Sequence, residues 1–136
     1  DNTTRLAGGG GEVAASPMLL RAAAEALSNT RRPVRHINAV VATVDTFHHQ
    51  TDAMHREWGE KAAAVDMETS ILYHLAARAG AHALAVMAVS DVRAAGADPF
   101  GDDPFDYGGL YQAFDELADV AVEIVTRLPD PIPALA

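Results

Sequence analysis

Apolar and polar positions change their period several times along this chain, and each change marks an element. Ser16-Pro17 precedes a run in which Leu19, Leu20, Ala23 and Leu27 recur at helical spacing. A serine N-cap with proline at the first helical position starts a helix, and Asn29 with Pro33 stops one, so a helix is expected over 17–28. Ala39 to Val44 is continuously apolar and rich in β-branched residues. That is the pattern of a strand covered on both faces, expected near 36–46. A short helix follows around Asp52 to Glu60, then a brief second strand near 62–66. Met67 to Ala79 reads as a helix, with Met67, Ile71 and Leu75 on one stripe and Gly80 as its C-terminal stop. Leu84 to Val89 has the composition of a third buried strand, over 83–90. After a loop rich in Gly, Pro and Asp (Ala94 to Asp106), a last helix near 107–127 is expected to bury Leu110, Phe114, Leu117, Ala121 and Ile124. The tail PDPIPALA cannot continue it.

Strands alternating with helices predict an α/β chain, a layered α/β/α arrangement around a mixed, partly parallel sheet, as one domain over 1–136. Three strands form a narrow sheet with open edges for so apolar a set, so the chain reads as part of a larger sheet. Residues 1–15 are polar and then glycine-rich. Gly8 to Gly11 follow no strand, and Val13 breaks the spacing Gly-x-Gly-x-x-Gly, so a flexible lead-in is expected rather than a phosphate cradle.

Composition narrows the functions on offer. With 136 residues, 49% hydrophobic and 21% charged, the chain has the make-up of one globular domain. A net charge of −9 disfavours a nucleic-acid partner. The one basic cluster, Arg31, Arg32, Arg35 and His36, is expected to solvate a loop. There is no cysteine, so neither a disulfide nor a thiolate metal site can form. His48, His49 and His55 fit no closed zinc spacing, and no metal is expected. No apolar run reaches the roughly 20 residues that span a bilayer, and no basic-then-apolar leader is evident, so no membrane role and a cytoplasmic location are expected.

Polar residues sit directly after each expected strand: Asp45-Thr46-Phe47, Asp66-Met67-Glu68 and Ser90-Asp91. Ligands of parallel α/β sheets gather at such carboxyl ends. The plainer reading is that these acids cap the next helix or turn, and it suits Asp66 well, since a helix follows at once.

The stretch VDMETSILYHLAARAGAHALAVMAVSD, Val65 to Asp91, resembles the signature region of the nucleoside phosphorylase-I superfamily, whose members carry a Val-Glu-Met-Glu-type motif and a Ser-Asp pair at successive strand ends. His36 to Phe47 is similar to the family's upstream strand, which ends in an Asp-x-Phe element. The final helix fits too, so the resemblance runs from about Arg35 to Leu128. It implies that Glu68 binds the ribose hydroxyls, as an ionised carboxylate suits a vicinal diol, and that Met67 packs on the sugar. Asp66 stands where a glutamate is more usual and is expected to act behind the ligand or through its backbone. Asp91 corresponds to the proton donor to N7 of a purine, a role that needs a carboxyl still protonated near neutral pH. Ser90 would orient Asp91 or touch the base. Phe47 would pack over the base, unless it is an ordinary core residue.

The resemblance implies cleavage of a nucleoside N-glycosidic bond, by phosphorolysis of a purine nucleoside to base and pentose 1-phosphate. Phosphate is then the co-substrate, and no cofactor is needed. Hydrolytic nucleosidases share these motifs, and a non-catalytic nucleoside-binding or assembly subunit is a further alternative. A purine is favoured because the stretch from Phe47 to Met67 is short and Asp52, rather than an arginine, stands two residues after Gln50. The region DPFGDDPFDYGG lacks the helper arginine of some purine members, and Arg93 lies too early to match it. The family's phosphate-binding turn and its arginines belong to an N-terminal half for which this sequence has no counterpart. A missing N-terminal segment or companion chain is therefore expected, within a homo-oligomer, commonly a hexamer built from dimers.

Overall fold

A computed structural model of the chain describes residues 2–28, 36–46, 50–90 and 107–133. Along them run α1 (Asn2–Leu6), α2 (Pro17–Ser28), β1 (Val41–Thr43), α3 (Asp52–Gly59), β2 (Ala64–Asp66), α4 (Thr69–Arg78) and α5 (Tyr107–Thr126). β1 and β2 pair in parallel, with Val41 opposite Ala64, Ala42 opposite Val65 and Thr43 opposite Asp66. Ala63 N donates to Val40 O (2.9 Å) and Val44 N to Asp66 O (2.9 Å), extending the ladder at both ends. Parallel strands require a crossover, and α3 lies within it. α3 starts where Thr51 Oγ1 accepts from Met54 N, an N-cap of the usual kind.

The apolar core lies between α2 and α5. Ala22, Ala23 and Ala26 form the buried face of α2, and Val120 and Ile124 that of α5, with Leu19, Leu27, Leu84 and Leu128 packed around them. Alanines let the two helices approach closely, so the branched residues of α5 fill the contact. α4 ends as Gly80 predicts. Gly80 adopts φ +65°; its N–H donates to Ala77 O, and Ala81 N donates to Ala76 O, a Schellman closure.

Four expectations need correction. Residues 83–90 form no strand. Ala83 O accepts from Ser16 N (2.8 Å) and Ala85 N donates to Tyr73 Oη (2.8 Å). These groups are thus satisfied by a loop and a side chain instead of a ladder, while Val86, Met87 and Val89 stay exposed. The first strand shrinks from 36–46 to Val41–Thr43, with Ile37 and Val40 exposed beside it. On α5 the buried stripe is turned. Ile124 is buried as expected, but Phe114 and Ala121 are exposed and Val120 is buried in their place, because Val120 and Ile124 are the branched residues that meet the alanines of α2. The side chain of Leu110 lies outside the description. The Met67–Ile71–Leu75 stripe is not a buried one either: Met67 precedes the helix, and it and Leu75 are exposed. α4 instead packs on its neighbours with Ser70, His74 and Arg78.

The glycine-rich opening is built onto that face. Thr4 Oγ1 and Ser70 Oγ are 2.8 Å apart. His74 Nε2 donates to Ala7 O (3.0 Å), as does Arg78 Nη1 (2.6 Å). Gly9 packs flat on the imidazole: a Cβ there would lie 2.6 Å from His74 Nδ1.

Candidate functional site

The carboxyl ends of β1 and β2 meet the first turn of α4 in a knot of hydroxyls, amides and one carboxylate. In register, Thr43 and Asp66 leave the same face of the sheet. Thr43 Oγ1 donates to Asp66 Oδ1 (2.7 Å) and accepts from Ser70 N (3.1 Å). Asp66 Oδ2 accepts from Thr69 N (3.0 Å) and also from Thr69 Oγ1. Both carboxylate oxygens of Asp66 are therefore engaged, and its carbonyl belongs to the ladder. Its half-buried charge sits at the positive end of the α4 dipole, where it is stabilised.

Met67 and Glu68 form the turn between β2 and α4, and both are exposed, Met67 at 42%. Glu68 occupies the N-cap position of α4 yet makes no side-chain cap bond. Its Oε2 accepts from Met67 N instead (3.2 Å). The turn thus presents one carboxylate and one flexible apolar side chain side by side, a pairing suited to a ligand with a diol and an apolar edge.

Of the expected site residues, Asp66, Met67 and Glu68 follow one another out of β2, and Asp66 bonds to Thr43. Ser90 stands exposed at the end of segment 81–90, which forms neither helix nor strand. Phe47 and Asp91 lie outside the described residues. Sequence reasoning missed Thr43, Thr69 and Ser70. The spacing Asp66-x-x-Thr69 is a capping signal that the sequence did contain, whereas nothing local ties Thr43 to Ser70, 27 positions away.

A second polar cluster lies elsewhere. His82 Nε2 faces Pro133 O (2.9 Å), and a carbonyl can only accept, so Nε2 carries the proton. In the neutral ring, Nδ1 then accepts from buried Ser16 Oγ (2.7 Å). Beside it opens a cavity of about 340 Å3 lined by Met18, Leu19, His82, Leu128 and Ile132. It follows the C-terminus of α4, about 15 Å of helix from Glu68, so it takes no part in the turn after β2. Among the described residues no cluster of three or more His, Asp or Glu could hold a metal ion. No helix among them is long and apolar enough to cross a membrane.

An exposed acid and methionine thus stand side by side at the carboxyl end of a small parallel sheet, and sequence comparison gives the chain a family. Residues 6–128 match the model of the phosphorylase superfamily, and the chain belongs to that family. A purine nucleoside phosphorylase DeoD-type from Myxococcus xanthus (strain DK1622) is 30% identical over 131 residues, covering 96% of this chain and 52% of the relative. A second protein of that name, from Alkaliphilus metalliredigens (strain QYMF), is 46% identical over 52 residues, 38% of this chain and 22% of the relative. The chain thus spans at most about half the length of these curated relatives. No solved structure matches it significantly.

Proposed function

We propose that the chain supplies the sugar- and base-binding part of an enzyme that cleaves purine nucleosides by phosphorolysis, releasing the base and a pentose 1-phosphate. The observation that carries this reading is the exposed Met67–Glu68 turn at the carboxyl end of β2, in a chain of the phosphorylase superfamily. The names of the two relatives support a purine nucleoside as substrate. Glu68 accepts hydrogen bonds from the ribose hydroxyls, and its charge favours a sugar that turns cationic as the glycosidic bond breaks. Met67 packs on the sugar and Phe47 on the base. Asp91, held by Ser90, protonates N7 of the leaving purine. Asp66 works behind the ligand, fixing the turn.

Phosphate is the co-substrate, and no cofactor takes part. A further segment, covalent or separate, brings the phosphate ligands and widens the sheet beside 39–44 into a mixed α/β/α layer. The assembly is a cytoplasmic homo-oligomer.

Incubation with inosine, adenosine and uridine, with and without phosphate, tests the reading. Phosphate-dependent release of hypoxanthine and adenine, and not of uracil, is expected. Release without phosphate would make the protein a nucleosidase. Binding of nucleoside without release would make it a binding subunit.

A further inference from the structure

We propose that Thr43 is a positioning residue for the nucleoside site: its single hydroxyl pins both ends of the turn that presents Met67 and Glu68. This inference rests on the nucleoside reading given above.

The first turn of a helix leaves amides without intrahelical partners, and the residue at the N-cap ordinarily satisfies one of them. In α4 that residue is Glu68, which makes no such bond. The capping is carried out by others. Asp66 takes Thr69 N, and Thr43, from a different strand, takes Ser70 N at 3.1 Å. The same Thr43 oxygen donates its proton to Asp66 Oδ1 at 2.7 Å. One hydroxyl therefore holds Asp66 before the turn and Ser70 after it, and only Met67, Glu68 and Thr69 lie between. The consequence is chemical. Relieved of capping, Glu68 keeps an exposed carboxylate at the end of the sheet, on a turn whose two anchors cannot drift apart. Preorganisation of this kind lowers the ordering a bound sugar must impose.

Thr43→Val keeps the shape and deletes the hydroxyl, leaving Ser70 N and Asp66 Oδ1 each short of a partner. Thr43→Ser keeps the hydroxyl and loses a methyl. Both variants are compared with the parent chain, using inosine as the probe. Affinity is measured by titration calorimetry, fold by the thermal midpoint, and the turn by the amide resonances of Met67 and Glu68. Thr43→Val is expected to weaken inosine binding about tenfold and to shift both resonances, while Thr43→Ser stays within about twofold and restores them. Equal loss of affinity in both variants would overturn the assignment, as would parental affinity in Thr43→Val with both resonances unmoved. Should Thr43→Val fail to fold, Thr43→Ala removes the same hydroxyl without the added branch. The same shift of Met67 and Glu68 is then expected, and its absence overturns the proposal. If the parent does not bind inosine, the nucleoside reading falls, and the resonances alone decide whether Thr43 sets the turn.

Discussion

Between α2 and α5 the chain packs Ala22, Ala23 and Ala26 against Val120 and Ile124. At the carboxyl ends of β1 and β2 it packs Thr43, Asp66, Thr69 and Ser70, joined by directed hydrogen bonds. The first contact is non-directional and scales with the apolar area removed from water. The second depends on each donor meeting its acceptor, and a buried group left without one is costly. On the proposed reading, stability and ligand placement are divided between these two regions. The helix pair holds the chain together, and the polar knot decides where Glu68 stands.

Substitutions that strike one region and spare the other can break this division. The largest effect is expected from Ile124→Ala. Ile124 is 6% exposed, and truncating a buried isoleucine costs about 2–5 kcal/mol. Urea unfolding should show that loss. Native-state hydrogen exchange at Thr69 and Ser70 should change only through global unfolding, and a separate local opening there would contradict the division. Gly9→Ala comes next. The new Cβ would displace the His74 ring from Ala7 O, an overpacking expected to cost about 1–3 kcal/mol. His74→Ala in the same chain should recover part of that loss in urea unfolding, and a simple sum of the two single losses would contradict the contact.

What the sequence made legible follows the same division. The limits of α2 and α5, and Gly80 as the stop of α4, were readable because capping and helical period are local signals. The turned face of α5 was not. Phe114 and Val120 are equally apolar in sequence, and only the alanine surface of α2 selects between them. Residues 83–90 carry a strand's composition, yet their backbone groups found Ser16 and Tyr73, 67 and 12 positions away respectively by the pairs Ser16–Ala83 and Tyr73–Ala85. Within the site, Asp66-Met67-Glu68 was visible as a motif. The division of labour between its two acids was not, because it depends on Thr43, 23 positions before Asp66.

Asp66→Asn sharpens the comparison from the polar side. An amide cannot accept on both of its terminal atoms, so either the cap at Thr69 is lost or the bond to Thr43 reverses, leaving the Thr43 hydroxyl proton without its acceptor. A cost of about 0.5–2 kcal/mol is expected in thermal or urea unfolding, and unchanged stability would remove Asp66 from its structural role. The smallest effect belongs to the surface. Lys61 Nζ and Glu57 Oε1 pair at 3.0 Å on an exposed face, and Lys61→Ala should change stability by no more than about 0.5 kcal/mol.

Two acids separated by one residue are proposed to have different work, Asp66 in the fold and Glu68 on the ligand. Glu68→Gln, followed by inosine titration calorimetry and by thermal unfolding, tests this division most directly. An unchanged thermal midpoint is expected, with inosine binding weakened by about 1.5–3 kcal/mol, roughly ten- to a hundredfold, as charge-assisted hydrogen bonds become neutral ones. Parental inosine affinity in Glu68→Gln, or a fall in stability matching that of Asp66→Asn, would contradict the division.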